Sequence, residues 1–171
     1  MNIQTLFPPR SLRSDRGPPR DKARPLVIGN PVLQRLYDLW DAKRGGDRVA
    51  PARADFTILE FKPWLGNLLI LDNIGAREEI RFRLYGSKLV ELFGFDLTYK
   101  TVLESMLLIG DRPLIEYQEV SQQQRPVYVS RFTPTAHRHI QVDKLALPLI
   151  SDHHVDQILA AIYPSDPMEL D

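Results

Sequence analysis

The sequence predicts an α+β domain: a five-stranded antiparallel sheet with helices gathered over one face, preceded by an amphipathic helix. Three patterns carry that expectation. Two strand-like stretches lie between residues 68 and 85, helical spacing runs from 87 to 124, and three further strand-like stretches lie between 127 and 163. Connections of hairpin length at both ends favour antiparallel pairing over crossovers.

With 171 residues the chain suits one core with tails. Having no cysteine excludes disulfide scaffolds and cysteine-ligated metal centres. Lys plus Arg equals Asp plus Glu at 22 each, so no global field draws the chain to nucleic acid or an anionic membrane. No apolar run approaches the roughly 18 residues of a bilayer span, and MNIQTLFPPR lacks the apolar stretch of a secretory signal, so a cytoplasmic location is expected. Residues 1–29 hold Arg10, Arg13, Arg16, Arg20, Lys22 and Arg24 against Asp15 and Asp21, with five prolines and few apolar side chains. Such a segment buries too little to offset ordering, and it reads as a disordered basic arm, the one place where nucleic acid, lipid or an acidic partner could dock.

The domain is expected over 30–163. Asn30 and Pro31 make a helix start; Leu33, Leu36, Tyr37 and Trp40 share one face; Lys43, Arg44 and Gly45-Gly46 close a helix over 31–44. Thr57 and Glu60, at capping-box spacing ahead of Phe61, Trp64 and Leu65, signal a shorter helix that Pro63 limits. Leu68 to Leu71 reads as a buried strand, residues 73–78 as a turn, and residues 79–85 as a strand with Ile80, Phe82 and Leu84 on one face and Arg81, Arg83 and Tyr85 on the other. Ser87 is expected to cap a helix over 88–93 that Gly94 closes in the left-handed region. Residues 95–110 read as short helical turns. Asp111 precedes a helix from Pro113 to about Gln124 with Leu114, Tyr117 and Val120 in register. Strands follow at 127–133, at 139–150 with Ile140, Val142, Leu145, Leu147 and Leu149 taken as its apolar set, and at 155–163; residues 164–171 read as a flexible tail.

This order of elements resembles the PAS fold. RFRLYGSKLVELFGFDLT at 81–98 is similar to the signature of a stand-alone PAS-like family found mainly in alphaproteobacteria. LYDLWDAKRGG (36–46), PARADF (51–56), EFKPWLGNLLILD (60–72) and LALPLISD (145–152) resemble its other parts, so the likeness spans about residues 30–163. Tyr99 departs from the pattern, standing where the family usually has glycine. The resemblance implies a non-enzymatic sensory or regulatory module that binds a small ligand or a protein partner and acts through dimerisation or association. No stretch long enough for a kinase or cyclase follows residue 163, so any signal is expected to pass through association.

The resemblance places the candidate ligand pocket at Leu84, Phe93, Met106, Tyr117, Tyr128 and Arg131, the last three bringing polar tips to an apolar setting. Leu33, Leu36, Tyr37 and Trp40 are the candidate dimer interface, since their stripe needs a cover from the chain's own sheet or from a second copy. No catalytic motif is present. His137, His139 and Asp143 could share a strand face and hold zinc for a metal-assisted enzyme, although an exposed polar face explains the spacing equally simply, and no metal site is assigned. No cofactor is expected: no histidine lies in the helical middle to ligate haem, and cysteine-based flavin photochemistry has no cysteine. A protein-interaction adaptor with a filled core is the remaining alternative.

Overall fold

The computed structural model describes residues 26–74 and 79–165. The expected basic arm up to residue 25, most of the C-terminal tail and the tip of the first hairpin lie outside them. Helix α1 (Pro31–Arg44) is followed by a 3-10 turn (Arg53–Asp55) and a 3-10 stretch (Ile58–Asn67), then strands β1 (Leu68–Ile74) and β2 (Glu79–Tyr85). Helices α2 (Ser87–Phe93), α3 (Met106–Ile109) and α4 (Arg112–Gln123) lead to β3 (Val127–Pro134), β4 (His139–Ser151) and β5 (His154–Pro164).

All five strands form one antiparallel sheet in the order β2-β1-β5-β4-β3. The early hairpin and the late meander are joined by β1 against β5, from Leu68 opposite Ala161 to Asp72 opposite Gln157. Alternation along these central strands sends side chains to two separate cores. Leu68, Ile70, Leu145, Leu147, Leu149, Leu159 and Ala161 face α1 and the 3-10 stretch, whereas Leu69, Leu71, Ala146, Ile158 and Ala160 face α2 and α4.

The α1 stripe is spent on this sheet. Leu33 and Leu36 are wholly buried and Trp40 nearly so, packed with Phe61, Trp64 and Leu147. Polar contacts fix the helix in place. Asn30 Oδ1 accepts from the Val32 and Leu33 amides at 3.0 and 3.3 Å while its Nδ2 donates to Asp143 at 3.2 Å, so one side chain caps α1 and ties it to β4. Trp40 Nε1 donates to the Pro148 carbonyl at 2.8 Å, and Trp64 Nε1 to the Val32 carbonyl at 3.0 Å. Leu33, Leu36 and Trp40 are therefore core rather than a surface for a second copy, and Tyr37 is half-buried against the same cluster. The dimer interface expected there is corrected on this ground: the apolar stripe is already covered.

Local chemistry explains the smaller departures. The Thr57–Glu60 capping box forms, with the Thr57 amide donating to Glu60 at 2.8 Å, but the segment winds as 3-10 with Pro63 inside it. Gly86, not Ser87, is the cap of α2. A Cβ on Gly86 would lie 2.3 Å from the Gly66 carbonyl oxygen, so the backbone crossing there admits only glycine. In β2 the register shifts opposite Ile70 and Leu71: Phe82 pairs with Leu71, Leu84 with Ile70, and Arg83 is the extra residue. Leu84 thereby crosses to the α1 side, and Tyr85 joins Phe82 on the other.

Tyr99 takes φ 67°, in the left-handed region that favours glycine. Its amide donates to the Phe82 carbonyl at 2.6 Å and Phe82 returns a bond to the Lys100 carbonyl at 2.9 Å, so the turn still covers the free edge of β2. The left-handed backbone costs about 1 kcal/mol at a non-glycine residue.

Because Trp40 fills the centre of the α1 core, Trp40→Ala is expected to lower the unfolding free energy by about 3–5 kcal/mol in urea titrations. Light scattering should show the same mass for the variant and the parent; a mass halved by the substitution would restore the stripe as an intermolecular surface.

Candidate ligand cavity

The helical middle covers its face of the sheet incompletely. A cavity of about 240 Å³ remains between β1–β5 and α2–α4. Leu69, Phe82 and Tyr85 line it from the first hairpin, Phe93, Phe95 and Leu97 from α2 and the residues after it, and Leu108 and Ile109 from α3. Arg112, Pro113 and Tyr117 of α4 complete the helical wall. The sheet contributes Val129, Arg131 and Thr133 of β3 with Val142 and Lys144 of β4, alternate residues that strand geometry sends to this face. Aromatic rings shape the floor: Phe93 stacks on Phe95 with centroids 6.1 Å apart, and Phe82 meets Tyr85 edge to face at 5.7 Å.

The polar part of the wall is a buried ionic cluster. Glu116, on the buried side of α4, pairs with both Arg131 of β3 and Lys144 of β4. The Lys144 side chain is 4% exposed and that of Glu116 10%, so neither is solvated as a free ion would be. Burial holds the Lys144 ammonium down to about 8, with the Glu116 carboxylate pulling in the opposite direction. The ammonium also sits over the Tyr117 ring, 4.5 Å from its centroid. Burial raises the Tyr117 hydroxyl above the usual phenol range, with Glu116 beside it adding to the effect. Tyr85 shifts the same way, by burial first and by Asp96 second. Thr133 Oγ1 is buried and makes no hydrogen bond within the described residues.

Of the residues expected to form the pocket, Phe93, Tyr117 and Arg131 line it. Leu84 does not, because the β2 register shift turns it to the α1 face. Tyr128 does not, because it pairs with Leu145 and so faces α1, where Gly29, Asn30 and Asp143 surround its hydroxyl. Met106 opens α3 while Leu108 and Ile109, further along, reach the cavity. Lys144, Arg112, Thr133 and Tyr85 carry the polar character, with Glu116 behind them, and no local sequence pattern singles them out. The one available signal was a lysine inside the apolar run of residues 142–150.

The histidine constellation is not assembled. His137 lies in the β3–β4 turn, His139 is exposed at the start of β4, and Asp143 is buried, accepting from Asn30 and from Ser165 Oγ at 2.7 Å. Among the described residues no group of three His, Cys, Asp or Glu could hold a metal ion. Nor, among them, is any helix long and apolar enough to cross a membrane.

The family model described as PAS domain matches residues 29–163. The chain belongs to the PAS domain family. A solved PAS domain, that of Bordetella pertussis BvgS, is similar at 16% sequence identity and a TM-score of 0.46, covering 79% of this chain and 87% of that one. Among curated proteins nothing matches. In this PAS domain the family's sheet is therefore joined to an ionic cluster in the cavity wall, built by α4, β3 and β4.

Removing the shared carboxylate leaves two cations facing each other in a poorly solvated wall. Glu116→Ala is accordingly expected to cost about 3–5 kcal/mol by chemical denaturation. The double substitution Glu116→Leu with Lys144→Met should recover most of that loss, and additive losses would show that the two groups do not interact.

Proposed function

We propose that this PAS domain is a non-enzymatic sensory or regulatory module that binds a small apolar or amphipathic molecule between the sheet and α2–α4 and passes its occupancy on by associating with a partner. The observation that carries this reading is the cavity itself: an apolar wall with a few convergent polar groups, the composition of small-molecule sites. Its size favours a small molecule. At about 240 Å³ it lies just below the roughly 300–1,000 Å³ typical of ligand sites.

Transmission by association is supported at α3. Leu108 and Ile109 line the cavity, while Leu107 beside them is 99% exposed and Leu103 and Ile115 are also exposed. A shift in the packing of this short helix would change both the cavity wall and an apolar outer surface. Helix α1, by contrast, covers the opposite face of the sheet, so the cavity can fill without touching it.

Native mass spectrometry of protein purified under mild conditions should show a small-molecule adduct. Leu97→Trp, which grows into the cavity, should retain the circular dichroism of the parent and lose the adduct. A bare polypeptide mass, together with amide spectra unmoved by a fragment library of small apolar compounds, would overturn the proposal.

A further inference from the structure

The wall of the cavity is unbalanced in charge. Arg112, Arg131 and Lys144 line it, and no carboxylate does. Glu116 reaches Arg131 and Lys144 from the buried side of α4, which leaves two cations on one anion in the cluster. Arg112 makes no ion pair among the described residues, but it is exposed and water solvates it. A buried ammonium has three protons to place; Glu116 and the Tyr117 ring face account for two directions. A third kind of donor stands nearby in the wall, the buried Thr133 hydroxyl, which has no hydrogen-bond partner within the described residues. The Lys144 ammonium, its side chain 4% exposed, has lost hydration that one shared carboxylate only partly replaces, and there an incoming anion gains most.

We infer that the cavity takes a small monocarboxylate with an apolar aromatic or aliphatic body, its carboxylate meeting Lys144, Arg131 and Thr133 and its body lying against Phe82, Phe93 and Leu97. This rests on the cavity being a ligand site. The charge count selects the class: Arg112 is exposed and keeps its water, so the enclosed excess, Arg131 and Lys144 against Glu116, is one positive charge, which a monoanion matches and a phosphate monoester, at about two negative charges near neutrality, would exceed. The volume limits the body to a ring or two, or a medium-length chain.

The test is calorimetric titration with matched acid and amide pairs: benzoate and benzamide, 2-naphthoate and 2-naphthamide, octanoate and octanamide. At least one acid should bind tenfold or more tightly than its amide, the margin of a charge-assisted hydrogen bond. Lys144→Met should abolish that preference. Glu116→Gln, which removes the competing carboxylate and keeps a hydrogen-bonding side chain, should enlarge it. Should Lys144→Met fail to fold, Arg131→Gln and Glu116→Gln carry the same test, with preference falling in the first and rising in the second. Acid and amide binding equally would remove the anion and leave the cavity as a site for neutral molecules. Failure of all six compounds to bind would remove both the carboxylate and the ligand site.

Discussion

A single carboxylate, that of Glu116, is held between Arg131 and Lys144, and the arrangement of the helical face depends on it. The three residues come from α4, β3 and β4, so the cluster fixes where α4 crosses the sheet and leaves Tyr117, the next residue, under the Lys144 ammonium. An ionic cluster of this kind is a weak source of net stability, because desolvation offsets most of the attraction. Its effect is one of placement. Glu116 is held at bonding distance from both cations, a direction that apolar contacts between α4 and the sheet do not by themselves supply.

The two faces of the sheet are finished differently, and the difference leaves room for function. On the α1 face, tryptophans at 40 and 64 and phenylalanines at 56 and 61 pack into one buried cluster, with the indole N–H groups bonded to backbone carbonyls. On the other face α2 and α3 are short, of seven and four residues, and the chain from 94 to 105 is turn or irregular apart from a single bridge at Thr101. Short elements cannot cover a five-stranded sheet, and the gap they leave is the cavity. The pairing of β1 with β5 makes both faces continuous across the early hairpin and the late strands.

Much of this was legible in the sequence because it is local. Asn30-Pro31 marked the start of α1, Gly94 the end of α2, and residues 79–85 the bounds of β2, since each rests on capping or period-two chemistry within a few residues. What failed depended on which face a side chain takes. One extra residue in β2 moved Leu84 across the sheet, and the pairing of Tyr128 with Leu145 set the direction of its ring; neither has a local signature. In β4 both faces are buried, so the apolar run conceals its own alternation: Ile140 and Val142 were grouped with Leu145, Leu147 and Leu149, although strict alternation sends Val142 and Lys144 to the helical side. Glu116 looked like an ordinary helical carboxylate because its two partners lie 15 and 28 positions further along the chain.

The measurement that bears most directly on this account is the titration of the Lys144 ammonium by heteronuclear NMR. A lysine buried in the cavity wall against Glu116 and Tyr117 should lose its proton near pH 8, and Glu116→Gln should move that midpoint lower still. A midpoint near 10.5, the ordinary lysine value, unmoved by the substitution, would mean that the side chain is solvated and that the ionic wall of the cavity does not exist.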